Sequence, residues 1–459
     1  MASIDALCLR RLLAASQPLA DAALRAPGVV ARYHDILRSS VLSGCAQAFR
    51  GKSVLIGAQS QFACALALLE LDGVASRLVL CPPDFTGEQL ASAIAQAQVD
   101  IIVCDDAEKD FGCDVARLML APLAPAVRDE TPALRSEWLL PTSGTTGAPK
   151  LVAYTLEALL GAIAPPGTDG TRPVWTTFYD IRRYGGLQVY LRAVTGGATL
   201  VLSEADEPLG DAIQRLREAG VTHITGTPSH WRRLLMSPFA SMLSPSSVRL
   251  SGEIADRAIL DALRAAYPQA RIVHAYASTE AGVCFEVTDG LEGFPASYVG
   301  GLAEVDLRVV DGSLHVRSPR TATRYIGRDD LALRDAEGFV DTGDMVALRE
   351  DRYFFLGRRA GVINIGGLKV HPEEIEQVIN AHPAVRASLV RARRNPIMGD
   401  VVVADVVLKQ PESEATSLLR DNLLAFCRAH LARHKVPAIV TFVPALAVSA
   451  SGKLARRQS

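Results

Sequence analysis

Nine residues constrain this chain more than any others: Thr142 to Lys150, reading TSGTTGAPK. Hydroxyl residues and two glycines crowd its first six positions, and a proline and a lysine close it. Glycine lets a backbone turn tightly and approach a ligand closely. Successive N–H groups in such a turn form a concave anion site, and Ser and Thr hydroxyls add donors. Lys150 adds a full positive charge, so the stretch reads as a phosphate cradle. It is not a P-loop, which needs G-x-x-x-x-G-K-[ST]; Gly144 and Gly147 are only three apart. A different nucleotide-binding fold is implied. The competing reading, a flexible surface linker, fits poorly because the apolar run Leu151-Val152-Ala153 follows at once.

A chain of 459 residues exceeds what one core usually supports, so two or more domains are expected. Its 48 Lys and Arg balance 50 Asp and Glu, which gives no electrostatic case for nucleic acid. The eight cysteines form no C-x-x-C pair, which weakens zinc and redox readings in favour of scattered thiols in a reducing compartment. The first residues, MASIDALCLRRLLAASQPLADAAL, lack the basic-then-apolar order of a signal peptide. No apolar run reaches the roughly 18 residues of a membrane span. A cytoplasmic protein without nucleic-acid or membrane partners is expected.

Between Val30 and Asp106 strand and helix patterns alternate: strands at Ser53–Gly57, Leu78–Cys81 and Val99–Cys104, helices at Phe62–Leu71 and Glu88–Ala97. That alternation predicts a mostly parallel sheet with helices on its faces. Ala121 to Pro132 reads as a connector. Further strands are expected at Val174–Phe178, Gly196–Ser203, Val221–Thr225 and Arg271–Tyr276, with helices over Asp211–Ala219 and from about His230.

TSGTTGAPK resembles the signature loop of the adenylate-forming enzymes: acyl- and aryl-CoA ligases, luciferases and peptide-synthetase adenylation domains. The resemblance implies that Thr142, Ser143, Gly144, Thr145, Thr146, Gly147 and Lys150 meet the phosphates of ATP. It continues in order along the chain. Val248 to Glu253 resembles the strand whose end flanks the adenine, which assigns Gly252 and Glu253 there. His274-Ala275-Tyr276-Ala277-Ser278-Thr279-Glu280 resembles the Y-G-x-T-E signature. By that resemblance Tyr276 stacks on adenine, Thr279 reaches the α-phosphate and Glu280 holds Mg²⁺ through oxygen. Ala277 departs from the usual Gly, and His274 stands where Asn or Asp often meets the adenine amino group. Asp344 matches the T-G-D aspartate and Arg358 the G-R arginine, both of which contact the ribose. Gly452-Lys453 matches the mobile catalytic lysine. Each motif has a bland reading alone: a helix cap for Thr279-Glu280, a turn for Gly343-Asp344, a basic tail for Lys453. Their shared order favours the catalytic reading.

The turn Tyr179 to Gly186 matches the segment that borders the acid pocket, which brings in Tyr179, Asp180, Arg183, Tyr184 and Gly185. Arg183 stands nearest to the His that many acyl-CoA ligases carry before Gly-Gly. Asp180 is open to a second reading, as the Asp that pairs with a substrate amine. A surface ion-pair cluster of Asp180, Arg182 and Arg183 competes with both. The family changes domain just after Arg358, where Ala360 replaces the usual Asp or Lys. Gly366, Gly367 and Lys369 resemble the loop that faces the thiol acceptor, and Pro372-Glu373-Glu374 opens a helix.

The expectation is an α/β protein: a large multi-subdomain N-terminal part, residues 1–357, with mostly parallel sheets and helices, and a small mobile α+β cap, residues 358–459. The implied chemistry is ATP-dependent activation of a small carboxylic acid to acyl-AMP, then transfer to coenzyme A. Loading of a carrier protein's phosphopantetheine is the alternative, and a non-catalytic nucleotide-binding relative the third reading.

Overall fold

The computed structural model describes residues 7–127, 132–142, 149–164, 172–204, 206–328, 331–365, 368–395, 399–410, 416–447 and 453–454. The chain opens with helix α1 (Leu9–Ala15) and the hairpin β1 (Ala23–Ala26) and β2 (Val29–Arg32). Then come β3 (Ser53–Ile56), α2 (Gln61–Leu71), β4 (Arg77–Leu80), α3 (Gly87–Ala97), β5 (Ile101–Cys104), β6 (Ala116–Met119), β7 (Glu137–Pro141) and β8 (Leu151–Tyr154). A second run holds β9 (Trp175–Thr177), α4 (Tyr184–Thr195), β10 (Leu200–Val201), α5 (Leu209–Glu218), β11 (His223–Gly226), α6 (Pro228–Leu235), β12 (Ser247–Ser251), α7 (Arg257–Ala266), β13 (Arg271–Ser278) and β14 (Gly282–Val287). Short strands follow: β15 (Phe294–Pro295), β16 (Asp306–Val310), β17 (Ser313–Arg317), β18 (Arg324–Ile326), β19 (Val340–Arg349) and β20 (Arg352–Arg358). The chain closes with β21 (Ile363–Ile365), β22 (Leu368–Val370), α8 (Pro372–Ala381), β23 (Val385–Asn395), β24 (Gly399–Leu408), α9 (Thr416–His430) and β25 (Ile439–Phe442).

The first sheet runs β18-β8-β7-β4-β3-β5-β6 and the second β14-β13-β12-β11-β9-β10-β1-β2. In both, parallel strands form the middle; antiparallel pairings sit at one end of the first sheet and at both ends of the second. The third, β15-β20-β19-β17-β16, is wholly antiparallel, against the expectation of mostly parallel sheets. Two of its hairpins turn tightly at positive φ, β16–β17 through Asp311-Gly312 and β19–β20 through Glu350.

Helix α2 is buried from Cys64 to Leu71 because both large sheets pack on it, so one apolar stripe is not enough. Helix α3, more exposed, is amphipathic; a Thr86–Gln89 capping box starts it and Gln98 at φ 50° ends it. The connector expected at 121–132 contains the two-residue bridge Ala124–Pro125, paired with Ser39–Ser40. The helix expected from His230 starts at Pro228, the first-turn position where proline lacks nothing the helix needs.

Residues 363–442 hold a core of their own, with Val370, Ile375, Val390, Val406 and Cys427 buried. This C-terminal unit leans on the rest through α8. Asn380 Nδ2 donates to Asp256 Oδ2 at 3.1 Å, and Gln377 Nε2 donates to the Phe355 carbonyl at 3.2 Å. Gly357, at φ +131°, lies where the Glu373 carboxylate fills the space a side chain would need.

Candidate active site

Four neighbouring parallel strands end on one side of the second sheet, and each delivers a residue of the site. Tyr179 follows β9, Thr227 follows β11, Gly252 follows β12 and Thr279 follows β13. In open α/β sheets, ligands bind at the carboxyl ends of the strands. Gly252 is central. At φ +84° it favours glycine, and a Cβ there would stand 3.5 Å from Lys453 Cε, 3.8 Å from Thr227 Cγ2 and 3.9 Å from Tyr179 Oη. The Tyr179 hydroxyl donates to the Ser251 carbonyl at 2.6 Å, and its ring backs against Gly185. Glu253 accepts from the Ser229 N–H and the Leu454 N–H, both at 2.9 Å.

A second cluster faces this one. The Tyr276 hydroxyl donates to Asp344 Oδ2 at 2.6 Å, and Arg358 Nε donates to Asp344 Oδ1 at 3.1 Å. Asp344 and Arg358 are cross-strand partners on β19 and β20, so sheet register holds the pair. The Tyr276 ring is stacked on Phe285 and Phe355, with centroids 5.4 and 4.9 Å away. Burial pushes the Glu280 carboxyl up; Arg358 and Lys150 pull it back, and Asp344 adds to the rise. Burial lowers the Lys453 ammonium and so does Arg358, while Glu253 and Asp344 oppose that. Loss of solvent opposes the charge on Arg358, but Asp344 and Glu280 outweigh it and push its pKa up. Lys150 Nζ stands 5.8 Å from the centre of the Tyr325 ring. Lys453, Glu253, Asp344, Arg358, Glu280 and Lys150 thus share one electrostatic centre, although up to 303 residues (150 to 453) separate them.

The remaining expected residues divide. Thr142 closes the β7–β8 hairpin, its N–H donating to the Lys150 carbonyl at 2.8 Å. Ser143, Gly144, Thr145, Thr146 and Gly147 lie outside the described residues, as do Gly366 and Gly367. His274 pairs its Nε2 with the Leu291 carbonyl at 2.8 Å, and burial lowers its pKa. Ala275 lies opposite Ser251 on one side and Glu286 on the other. Ala277 sits at a β-bulge, Ser278 Oγ accepts from the Ala281 N–H, and the Thr279 carbonyl accepts from the Tyr154 hydroxyl at 2.9 Å. Lys369 is exposed on β22.

In the turn after β9, Asp180 is taken by Arg182, which is buried and reaches Asp180 Oδ1 at 2.7 Å and the Gln59 carbonyl at 2.9 Å. Arg183 instead grips Asp84 at 2.5 and 2.7 Å. Tyr184 is buried beside Tyr154, centroids 5.6 Å apart.

Residues not singled out from sequence also border the site. His230, its ring 5.8 Å from that of Tyr179, is pushed down to about 4 by burial and Arg233. Arg249 pairs with Glu286 two residues before Ser251, and Arg192 nearby is pushed down to about 10 by burial and by Arg249. Arg192 follows Gly185 at i+7 on α4, the one sequence signal that could have placed it. Among the described residues no cluster of three or more His, Cys, Asp or Glu could hold a metal by itself. No helix among them is long and apolar enough to cross a membrane.

Charged and aromatic groups gathered at the strand ends, with Lys453 of the C-terminal segment seated against Gly252, are the arrangement of an adenylate-forming enzyme. The chain belongs to the AMP-binding enzyme family: that family's model matches residues 41–325, more than half of the chain, and the model of its C-terminal domain matches residues 374–453. It is similar to the 2-succinylbenzoate–CoA ligase of Bacillus velezensis, 27% identical over 412 residues, which cover 85% of this chain and 79% of that one. It is similar to 4-coumarate–CoA ligase 2 of Oryza sativa subsp. japonica, 29% identical over 69% of this chain and 60% of the relative. Among solved structures it shares its fold with an anthranilate CoA ligase bound to anthranoyl-AMP, at TM-score 0.83 and 16% identity, covering 98% and 95% of the chains. A benzoate CoA ligase from Burkholderia xenovorans gives TM-score 0.80 at 20% identity, covering 98% and 99%.

Proposed function

We propose that this protein activates a small carboxylic acid with ATP and passes the acyl group to the thiol of coenzyme A. The observation that carries this reading is the seating of Lys453 against Gly252, within the field of Arg358, Asp344 and Glu253. A carboxylate oxygen attacks the α-phosphorus, the bond from that phosphorus to the pyrophosphate oxygen breaks, and acyl-AMP forms. Lys453 lies between the two reactants, orients them and stabilises the charge that develops. Asp344 and Arg358 take the ribose, with the Tyr276 hydroxyl steadying Asp344. Lys150 and the hydroxyls of the 142–150 loop take the phosphates.

Mg²⁺ fits this site: it needs only one or two protein carboxylates beside phosphate oxygens, and Glu280 is a carboxylate with two cations already bearing on it. When bound, that ion would neutralise the phosphates. In the second step the thiol sulfur attacks the acyl carbonyl, AMP leaves, and the thiol proton passes to solvent. The C-terminal unit, beginning near Arg358, swings to bring Lys369 and the 366–367 glycines toward the thiol. The relatives' names support an aryl or similar small acid.

The test is a panel of acids with Mg·ATP, read by pyrophosphate release, with coenzyme A compared against a phosphopantetheinylated carrier protein. Acid-dependent pyrophosphate and a CoA thioester are expected. Pyrophosphate release with no acid dependence would remove the reading, and transfer to carrier protein alone would change the acceptor.

A further inference from the structure

Glu253 and Leu454 are 201 residues apart in sequence, yet one carboxylate oxygen of Glu253 accepts the Leu454 N–H at 2.9 Å. We propose that Glu253 is the positioning residue that seats Lys453 for acid activation; the inference rests on the reading of Lys453 given above. The other oxygen explains why Glu253 can do this. Helix α6 opens with Pro228, which has no N–H, and Thr227 Oγ1 takes the His230 N–H at 3.0 Å. Ser229 is left with a first-turn donor, and Glu253 Oε2 accepts it at 2.9 Å. A negative charge is favoured at a helix N-terminus, so the carboxylate is anchored on a rigid element. Its second oxygen is then fixed in direction before the C-terminal segment arrives.

The seat has two parts. Glu253 holds the backbone one residue past the lysine, through a charge-assisted hydrogen bond. Gly252, at φ +84°, turns the chain in a conformation that favours glycine, and the lysine stem lies beside it, with Cε 3.5 Å from where a Cβ would stand. The Glu253 charge also supports the ammonium against the burial and the Arg358 guanidinium that lower its pKa. Both oxygens of Glu253 accept backbone N–H groups, one from each element the carboxylate joins.

The test uses the full chain and the variants Glu253→Ala and Glu253→Gln. Lys453 labelling by an amine-reactive acylating reagent is followed by peptide mass spectrometry with no substrate present. Glu253→Ala is expected to label about tenfold faster at Lys453 than the wild type, the loss of one hydrogen bond to a charged group. Glu253→Gln, which keeps one acceptor oxygen, should fall between. In the same variants, acyl-AMP formation should drop about tenfold or more relative to thioester formation from supplied acyl-AMP, the effect of a misplaced catalytic group. If Glu253 merely caps α6, Glu253→Ala lowers the melting temperature while Lys453 labels at the wild-type rate and both half-reactions fall together; that overturns the proposal. Should Glu253→Ala not fold, a wild-type labelling rate in Glu253→Gln overturns it equally. Should no acid support pyrophosphate release in the wild type, the functional reading fails, and the labelling contrast still decides whether Glu253 seats the lysine.

Discussion

Asn380 donates its side-chain amide to the Asp256 carboxylate at 3.1 Å, tying α8 of the C-terminal unit to the N-terminus of α7. Asp256 also caps α7 through the Ile259 N–H at 3.0 Å and pairs with Arg232 at 2.6 Å. The two residues of this link should therefore respond unequally to truncation. Asn380→Ala removes one hydrogen bond, about 1 kcal/mol. Asp256→Ala also strips a cap and strands a mostly buried guanidinium, on the order of 3 kcal/mol or more. Urea denaturation midpoints measure both, and equal losses would contradict this account of Asp256.

Lys453→Ala should abolish acyl-AMP formation and largely spare thioester formation from supplied acyl-AMP. The lysine is required at the α-phosphate in the first arrangement alone. Half-reaction assays decide it, and equal loss in both steps would argue against two arrangements of the C-terminal unit.

Glu280→Gln removes one anionic oxygen from the group around Lys150 and Arg358. The Mg²⁺ concentration for half-maximal pyrophosphate release should rise, and activation should slow by about a hundredfold or more. Wild-type Mg²⁺ dependence would take Glu280 out of the site.

Asp72 supplies a pH test remote from the chemistry. Its carboxyl, buried and accepting from the Leu9 N–H at 2.7 Å and Trp138 Nε1 at 3.1 Å, is pushed up to about 7, chiefly by burial. The unfolded chain's Asp titrates near about 3.9. The folded state thus keeps a proton that the unfolded state loses between those values. Asp72's contribution is full below the lower pKa and is lost as pH rises through about 7. Asp72→Asn should gain stability relative to the wild type between pH 5 and pH 8. A difference that stays constant over that interval would show that Asp72 keeps its ordinary pKa in the fold.

The acid itself can be bounded. Arg182 is matched by Asp180 and Arg183 by Asp84, so the turn after β9 presents compensated cations. Plain aryl and acyl monocarboxylates are expected to turn over better than dicarboxylates of similar length. If only dicarboxylates react, and Arg183→Ala removes that preference, a guanidinium released from Asp84 is choosing the substrate.

Local motifs were the legible part of this molecule. Lys150, Tyr276, Glu280, Asp344, Arg358 and Lys453 were singled out from short runs, and the fold brings them to one centre. The α/β alternation from Ser53 to Cys104 was equally plain, because buried parallel strands read as unbroken apolar runs. What stayed hidden depends on contacts without sequence period. Asp180 prefers Arg182 to Arg183 because the tight turn brings its i+2 neighbour into a bidentate fork, while Arg183 reaches 99 residues back to Asp84. Strand β14 follows β13 after a turn at Gly282, φ +76°, too brief to announce a reversal. Glu253 was singled out only as a neighbour of the adenine; its hold on the Leu454 N–H, 201 residues away, has no sequence signal.

Gly357 sits where the C-terminal unit meets the rest of the chain. Its backbone lies against the Glu373 carboxylate of α8, whose tip can swing aside, so the demand for glycine comes from its φ of +131°. Ala360, three residues on, is exposed in a short turn, where bulk can project into solvent. Freedom to vary therefore changes within four positions of chain: Ala360 can turn a larger side chain outward, while the backbone angle at Gly357 holds that position to glycine.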